Sequence, residues 1–222
     1  MTKIRKPETQ ATSAGSAARR ASRERPIPRT LVAHQAGGHL ALDFCNTAGE
    51  HLADHPEELL SDWESFLRWA TQVALIGPES YFELLTSPKP LDKIVQLREA
   101  IYRIGLAFAL RRRVSKHDIE FIRDRAHVPR PNIEFRNNVG RWHPDPSNAS
   151  EQLCGVLAGE ALSLFCSPKA GRIGVCDGGK CGWLFLDESR GKRRRWCDMK
   201  DCGNRAKAQR HYEAHKRRSE QD

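Results

Sequence analysis

Cys176, Cys181, Cys197 and Cys202 carry the clearest chemistry in the sequence. They form two Cys-x4-Cys pairs with fifteen residues between the pairs. Four thiolates can surround one tetrahedral zinc ion at about 2.3 Å if each pair closes a tight turn and the connecting loop brings the pairs together. Gly178 and Gly179, inside the first pair, supply the backbone freedom for a knuckle whose amides point at the sulfurs. The competing chemistry is a redox dithiol, which more often shows Cys-x-x-Cys and needs no second pair. The expectation is one structural zinc ion, Zn(2+), held by these four cysteines.

The surrounding residues indicate how the ligands are mounted. Trp183 to Leu186 reads as a strand, Glu188 to Arg194 as a polar turn, and Arg195-Trp196-Cys197 as a returning strand. From Lys200 to about Arg218 the residues favour helix. Five helical steps rotate a side chain by about 500°, which leaves positions 197 and 202 about 140° apart. Both cannot face one metal from a single regular helix. Cys197 is therefore expected before the helix and Cys202 in its first turn, a treble-clef-like order. Trp183 and Trp196 are expected to cover the small core of this module.

The module is strongly basic. Arg193, Arg194 and Arg195 fall on the turn, and Arg205, Lys207 and Arg210 on the helix. Residues 170–222 hold 14 Lys and Arg against 8 Asp and Glu, a net of +6. A zinc ion with four thiolates contributes −2, so about +4 survives. These six residues are the candidate nucleic-acid contacts, because cations on a polar helix and an adjacent turn can meet a phosphate backbone. A finger that binds protein, or is purely structural, is the alternative.

Upstream, the residues point to a mostly helical α+β domain. Gly38 to Thr47 reads as a strand with Leu40, Leu42 and Phe44 on one side and Asp43 on the other. Ser61 and Glu64 form a capping box for a helix over 62–76, ended by Gly77-Pro78. A second helix is expected over 91–112, with Ile94, Leu97, Ile101, Ile104 and Phe108 on its apolar face. Ser115 caps a third through Ala126, and Asn148 starts a fourth to about Cys166. The stretch 132–146 holds short strands or a hairpin. Asp43, Asn46 and Thr47, with Arg98 on the second helix, could line a ligand pocket; they could equally be a turn cap and an internal salt bridge, Arg98 pairing with Asp43. Cys45, Cys154 and Cys166 fit as small buried hydrophobes.

Composition sets the frame. The chain has 222 residues, with 39% hydrophobic and 29% charged, a globular composition. Residues 1–30 hold 8 Lys and Arg against 2 Asp and Glu and almost no large apolar group, so a disordered basic tail is expected, as a nucleic-acid arm, a transit-like segment or an inert extension. Residues 31–169 form the helical domain and 170–218 the metal module, with a boundary near Pro168 and Gly171 and separate cores. Basic ends around an acidic middle fit a polyanion partner, nucleic acid being the commonest, and fit plain solubility as well. No apolar run approaches the ~18 residues a membrane span needs, and a cytoplasmic protein without membrane contact is expected. No Gly-rich phosphate loop, nucleophile elbow or paired catalytic carboxylates stand out, which argues against an enzyme.

Trp196-Cys197-x4-Cys202-Gly203-Asn204-Arg205, after Cys176-x4-Cys181, resembles the CGNR zinc finger. Leu42-Asp43-Phe44-Cys45-Asn46-Thr47 resembles the opening motif of the ABATE domain, and Leu97-Arg98-Glu99-Ala100-Ile101 its central helix. Together the likeness covers about residues 33–215. It implies a bacterial stress-induced transcription regulator whose treble-clef finger binds DNA and whose upstream domain binds a small-molecule ligand. Alternatives are a finger that mediates protein–protein interaction, or a small-molecule enzyme acting through the Asp43–Arg98 region.

Overall fold

The computed structural model describes residues 35–136 and 138–219. The basic segment 1–30 and the expected onset of order at Leu31 lie outside the described residues. In chain order come α1 (Leu40–Cys45), β1 (Ala48–Gly49), β2 (Glu57–Glu58), α2 (Trp63–Gln72), α3 (Pro78–Leu85), α4 (Asp92–Ala109) and α5 (Lys116–Ala126). Then follow β3 (Asn132–Arg136), β4 (Val139–His143), α6 (Ala149–Phe165), a 3-10 turn (Pro168–Arg172), β5 (Ile173–Val175), β6 (Leu184–Leu186), a wide turn (Met199–Gly203) and α7 (Asn204–Ser219). The strands pair antiparallel as β1–β2, β3–β4 and β5–β6. The mostly helical α+β class is as the sequence indicates.

The expected strand at 38–47 is a helix. The His39 carbonyl accepts from the Leu42 and Asp43 amides at 2.9 Å, and its ring nitrogen accepts from the Ala41 amide at 3.2 Å. Every residue from Ala41 to Cys45 is buried, because α1 is wrapped by α4, α6 and β6. A segment buried on all sides has no polar face, so alternation cannot distinguish strand from helix. Asp43 broke the apolar run and looked like the outward face. It is instead buried and accepts from the Gly37 amide at 2.8 Å.

Side-chain caps open α2 and α5, while α4 and α6 start without one, Asn148 standing at the α6 cap position with no side-chain cap bond. The capping box of α2 is Asp62 with Ser65, one residue later than Ser61 with Glu64. The Asp62 carboxylate accepts from the Ser65 amide at 2.8 Å, and the Ser65 hydroxyl accepts from the Asp62 amide at 3.0 Å. This frame turns Trp63, Phe66, Leu67 and Ala70 into the core. The helix stops at Gln72, and Ala74 takes φ 61°, leaving it exposed. Gly77-Pro78 does not end α2 but opens α3, with proline at a first-turn position where no amide is missed. Ser115 caps α5 as expected, its hydroxyl accepting from the Asp118 amide at 3.3 Å.

Helices α4 and α6 run side by side in the same direction. Near their starts Lys93 pairs with Glu151, and near their ends Phe108 stacks on Phe165 at 5.5 Å. Cys45 and Cys154 are buried as expected; Cys166, just past the end of α6, is exposed.

The cysteines and Phe185 form their own small core, but the zinc module also contributes to the main one. Ile173, Leu184 and Leu186 belong to the same apolar cluster as α1 and α4, while Phe185 faces the cysteines. Gly105 on α4 makes room for Leu184: a Cβ there would stand 2.6 Å from its Cδ1. Asn46 reads Leu184 as a neighbouring strand would, donating to its carbonyl at 2.9 Å and accepting from its amide at 2.9 Å. The Leu186 amide donates to the Gly37 carbonyl at 2.7 Å, and the Tyr102 hydroxyl to the Gly182 carbonyl at 3.0 Å. The returning strand expected at 195–197 is absent; β6 pairs with β5 instead. Asn46→Ala leaves a buried amide and carbonyl of Leu184 without partners, at about 1–3 kcal/mol each. Urea unfolding of the zinc-loaded variant should therefore show a loss of roughly 2–6 kcal/mol, in one transition rather than two.

Candidate metal centre and basic surface

The sulfurs of Cys176, Cys181, Cys197 and Cys202 all lie within 4.8 Å of one another, and all four residues are buried. Cys181 Sγ is 3.7 Å from Cys197 Sγ, which is 3.6 Å from Cys202 Sγ. A tetrahedron with 2.3 Å metal–sulfur bonds has edges of about 3.8 Å, so these separations fit zinc. The knuckle amides behave as the glycines suggest: Gly178 donates to the Cys176 sulfur and Trp183 to the Cys181 sulfur. A Cβ at 178 would sit 3.0 Å from Cys202 Sγ and 3.2 Å from Cys176 Sγ, so glycine is needed for close approach.

Charge makes the same argument. Hydrogen bonds from Cys181 and Cys197 hold Cys176 far below the ordinary thiol range. The reciprocal effect pushes Cys181 up to about 12 and Cys197 higher still. Without a cation these thiols cannot all ionise together; a divalent ion removes the conflict. Arg205 helps, donating to the Cys202 sulfur at 3.0 Å while its Nε lies 3.3 Å from Asp201. Cys202 sits in the wide turn just before α7, closed by the Gly203 amide donating to the Asp198 carbonyl at 3.0 Å, and Cys197 precedes it, as the helical geometry requires.

The six expected nucleic-acid contacts do not stand alike. Arg194 is committed to the fold. Its guanidinium donates to the carbonyls of Trp196 at 3.0 Å, Leu186 at 3.3 Å and Ala36 at 2.8 Å, and to that of Cys197. It also lies 4.4 Å from the Phe185 ring centroid. That removes Arg194 from the contact set; a run of arginines in the sequence does not reveal that one turns inward. Arg205 is likewise drawn to a thiolate. Arg195 pairs with Asp177, but both side chains are more than half exposed, and such a pair is worth only about 0–1 kcal/mol. Arg193, Lys207 and Arg210 are exposed. A groove of about 480 Å³ runs between the knuckle and α7, lined in part by Gly178, Lys180, Arg195, Trp196, Gln209 and Arg210.

Upstream, Asp43, Asn46, Thr47 and Arg98 lie close together but are all engaged internally. Asn46 holds β6, and the Thr47 hydroxyl donates to the Phe44 carbonyl at 2.7 Å. Arg98 does not pair with Asp43. It makes a bidentate pair with Glu58 at 2.6 and 2.7 Å and bonds Glu99 at 2.9 Å. Burial opposes the Arg98 charge, and the two carboxylates more than offset it. Burial also works against the Glu99 carboxylate, yet His51 and Arg98 hold it below its ordinary range. His51 lies 3.2 Å from Glu99 and stacks on Tyr102 at 3.6 Å. Glu58, His51 and Tyr102 carry no sequence signal, since β2 brings Glu58 to Arg98 from 40 residues away.

Two expectations follow. Burial raises Asp43 to about 6, against the pull of the Gly37 amide and Arg194. A carboxyl raised on folding binds its proton more tightly in the native state, so its contribution is lost as pH rises from about 4 through 6. Asp43→Asn should match the parent near pH 4 and be the more stable protein above pH 6.5, as read by thermal unfolding across that range. Arg205→Ala should lower zinc affinity by roughly 10–100-fold, the usual cost of losing a group that orients a ligand, measured by chelator competition.

No curated protein sequence matches the chain. The family model of the CGNR zinc finger matches residues 172–215, consistent with the four-cysteine zinc site. The ABATE model, described as "Putative stress-induced transcription regulator", matches residues 38–168, more than half of the 222 residues. No helix among the described residues is long and apolar enough to cross a membrane. The chain belongs to the ABATE family, with a CGNR zinc finger following its ABATE region.

Proposed function

We propose that this chain is a cytoplasmic, non-catalytic transcription regulator that binds duplex DNA through the zinc module. The observation that carries the reading is α7. Every side chain from Lys207 to Glu213 is exposed, so this basic stretch of the helix buries no apolar face among the described side chains and is available to a polar partner. Lys207 and Arg210 project from it, Arg193 and Arg195 stand on the neighbouring turn, and Lys180 borders the groove between them. Phosphate can replace Asp177 on Arg195 at little cost, because that ion pair is solvated. Arg205, bound to Cys202, neutralises part of the thiolate charge, which favours an anionic partner nearby. A knuckle set within the β5–β6 hairpin and followed by α7 supports a treble-clef arrangement. Ligand sensing through Asp43, Asn46, Thr47 and Arg98 draws no support from the geometry, since each already has an internal partner; the salt-bridge and cap reading is the better account.

Salt dependence tests the proposal. Each lost phosphate contact reduces the slope of log affinity against log salt by about 0.9. Arg193→Ala with Arg210→Ala should therefore flatten the slope by roughly 1.8 and weaken all duplexes alike. If the zinc-loaded protein binds no duplex at low salt, the DNA reading fails and a protein-binding finger takes its place.

A further inference from the structure

Helix α4 ends in a run of arginines that the zinc module does not contain. Arg111, Arg112 and Arg113 are all exposed, and no hydrogen bond or ion pair engages their side chains among the described residues. Their backbone is fixed: the Arg111 amide donates to the Phe108 carbonyl at 3.1 Å and the Arg112 amide to the Ala107 carbonyl at 2.8 Å. Arg111 takes φ 53°, at a helix end where glycine is the default residue. Because α4 and α6 run in the same direction and Phe108 stacks on Phe165, the arginines and the turn Pro168–Arg172 stand at one end of the helix pair.

That turn is tied to the basic loop of the finger. The Asp187 amide donates to the Arg172 carbonyl at 2.8 Å, and Lys169 pairs with Glu188 at 3.6 Å. The Asp187 carboxylate then accepts from the amides of Ser189 at 2.9 Å and Arg194 at 3.0 Å, closing the loop that displays Arg190, Lys192 and Arg193. Glu188, the acidic residue within that loop, is already paired. Resting on the DNA reading above, we propose that Arg111, Arg112 and Arg113 are a second phosphate-contact site, on the ABATE domain itself. With the 190–193 loop they form one basic strip, and a duplex bound by the finger continues along it. The competing role is purely local, cations offsetting the partial negative charge at the end of α4.

The test is a double variant, Arg112→Gln with Arg113→Gln, in the full-length zinc-loaded chain, titrated with labelled duplex DNA at several salt concentrations. The expected result is a slope reduced by about 1.8 from two lost phosphate contacts, with zinc content and melting temperature unchanged. An unaltered slope together with a lowered melting temperature would overturn the proposal in favour of the helix-end role, leaving the finger's DNA binding intact. Wild-type protein that binds no duplex at all would sink both readings at once. Parallel titration with vesicles containing anionic phosphatidylserine covers the other anionic surface. Loss of vesicle binding with an unchanged DNA slope would reassign the strip to a membrane.

Discussion

Four thiolates packed within 4.8 Å are tolerable only around a cation, and much of the chain's second half is arranged to satisfy that constraint. Gly178 lets the knuckle close on two sulfurs, backbone amides point at them, and Arg205 donates to Cys202. The wide turn at 199–203 supplies Cys202 without asking a regular helix to face the metal twice. Structural zinc sites in small fingers are worth about 10–16 kcal/mol. That is ample to hold α7, whose side chains from Lys207 to Glu213 are all exposed.

The zinc module is also continuous with the helical domain. Ile173, Leu184 and Leu186 complete the main apolar core. Asn46, Gly37 and Tyr102 satisfy backbone groups of β6 and the knuckle that would otherwise be buried unpaired. Closer to the metal, the His51 amide donates to the Cys181 carbonyl at 2.9 Å and the Leu52 amide to the Lys180 carbonyl at 3.0 Å. Trp183 donates from its indole to the Ala48 carbonyl at 2.8 Å. Arg194 links the same parts from the other side, reaching Ala36 and Cys197 with one guanidinium. The segment 36–52 is thus shared property: its helix belongs to the ABATE core and the backbone flanking that helix to the zinc knuckle.

Much of this was legible in the residues, and the rest fails for identifiable reasons. The cysteine spacing and the order of Cys197 and Cys202 followed from tetrahedral geometry and helical rotation alone. The helix after Ser115 is unambiguous because of its side-chain cap, and α4 because of its amphipathic run. Helix α1 was misread because complete burial erases periodicity. The α2 cap slipped by one residue because Ser61 and Asp62 both offer an oxygen at the right offset. Helix α3 went unseen because Gly77-Pro78 marks a start as readily as a stop. The partners of Arg98 and Arg194 were out of reach, since long-range pairing of a charged side chain leaves no local pattern. Asp43, Asn46 and Thr47 stand out as polar groups beside an apolar stretch, candidates to line a pocket. Their work is to join two parts of the fold, which in sequence looks the same as lining a pocket.

The most direct measurement of the central claim, that zinc site and ABATE core are one cooperative structure, is amide hydrogen exchange followed by mass spectrometry before and after zinc removal. The account expects amides of Leu40–Cys45 and of the Tyr102–Ala109 half of α4 to lose protection together with 173–186. The reason is that Leu184 and Leu186 leave the common core when the knuckle opens. Loss of protection confined to residues 176–215, with α1 and α4 unchanged, would contradict it and restore the picture of an independent finger beside a self-sufficient domain.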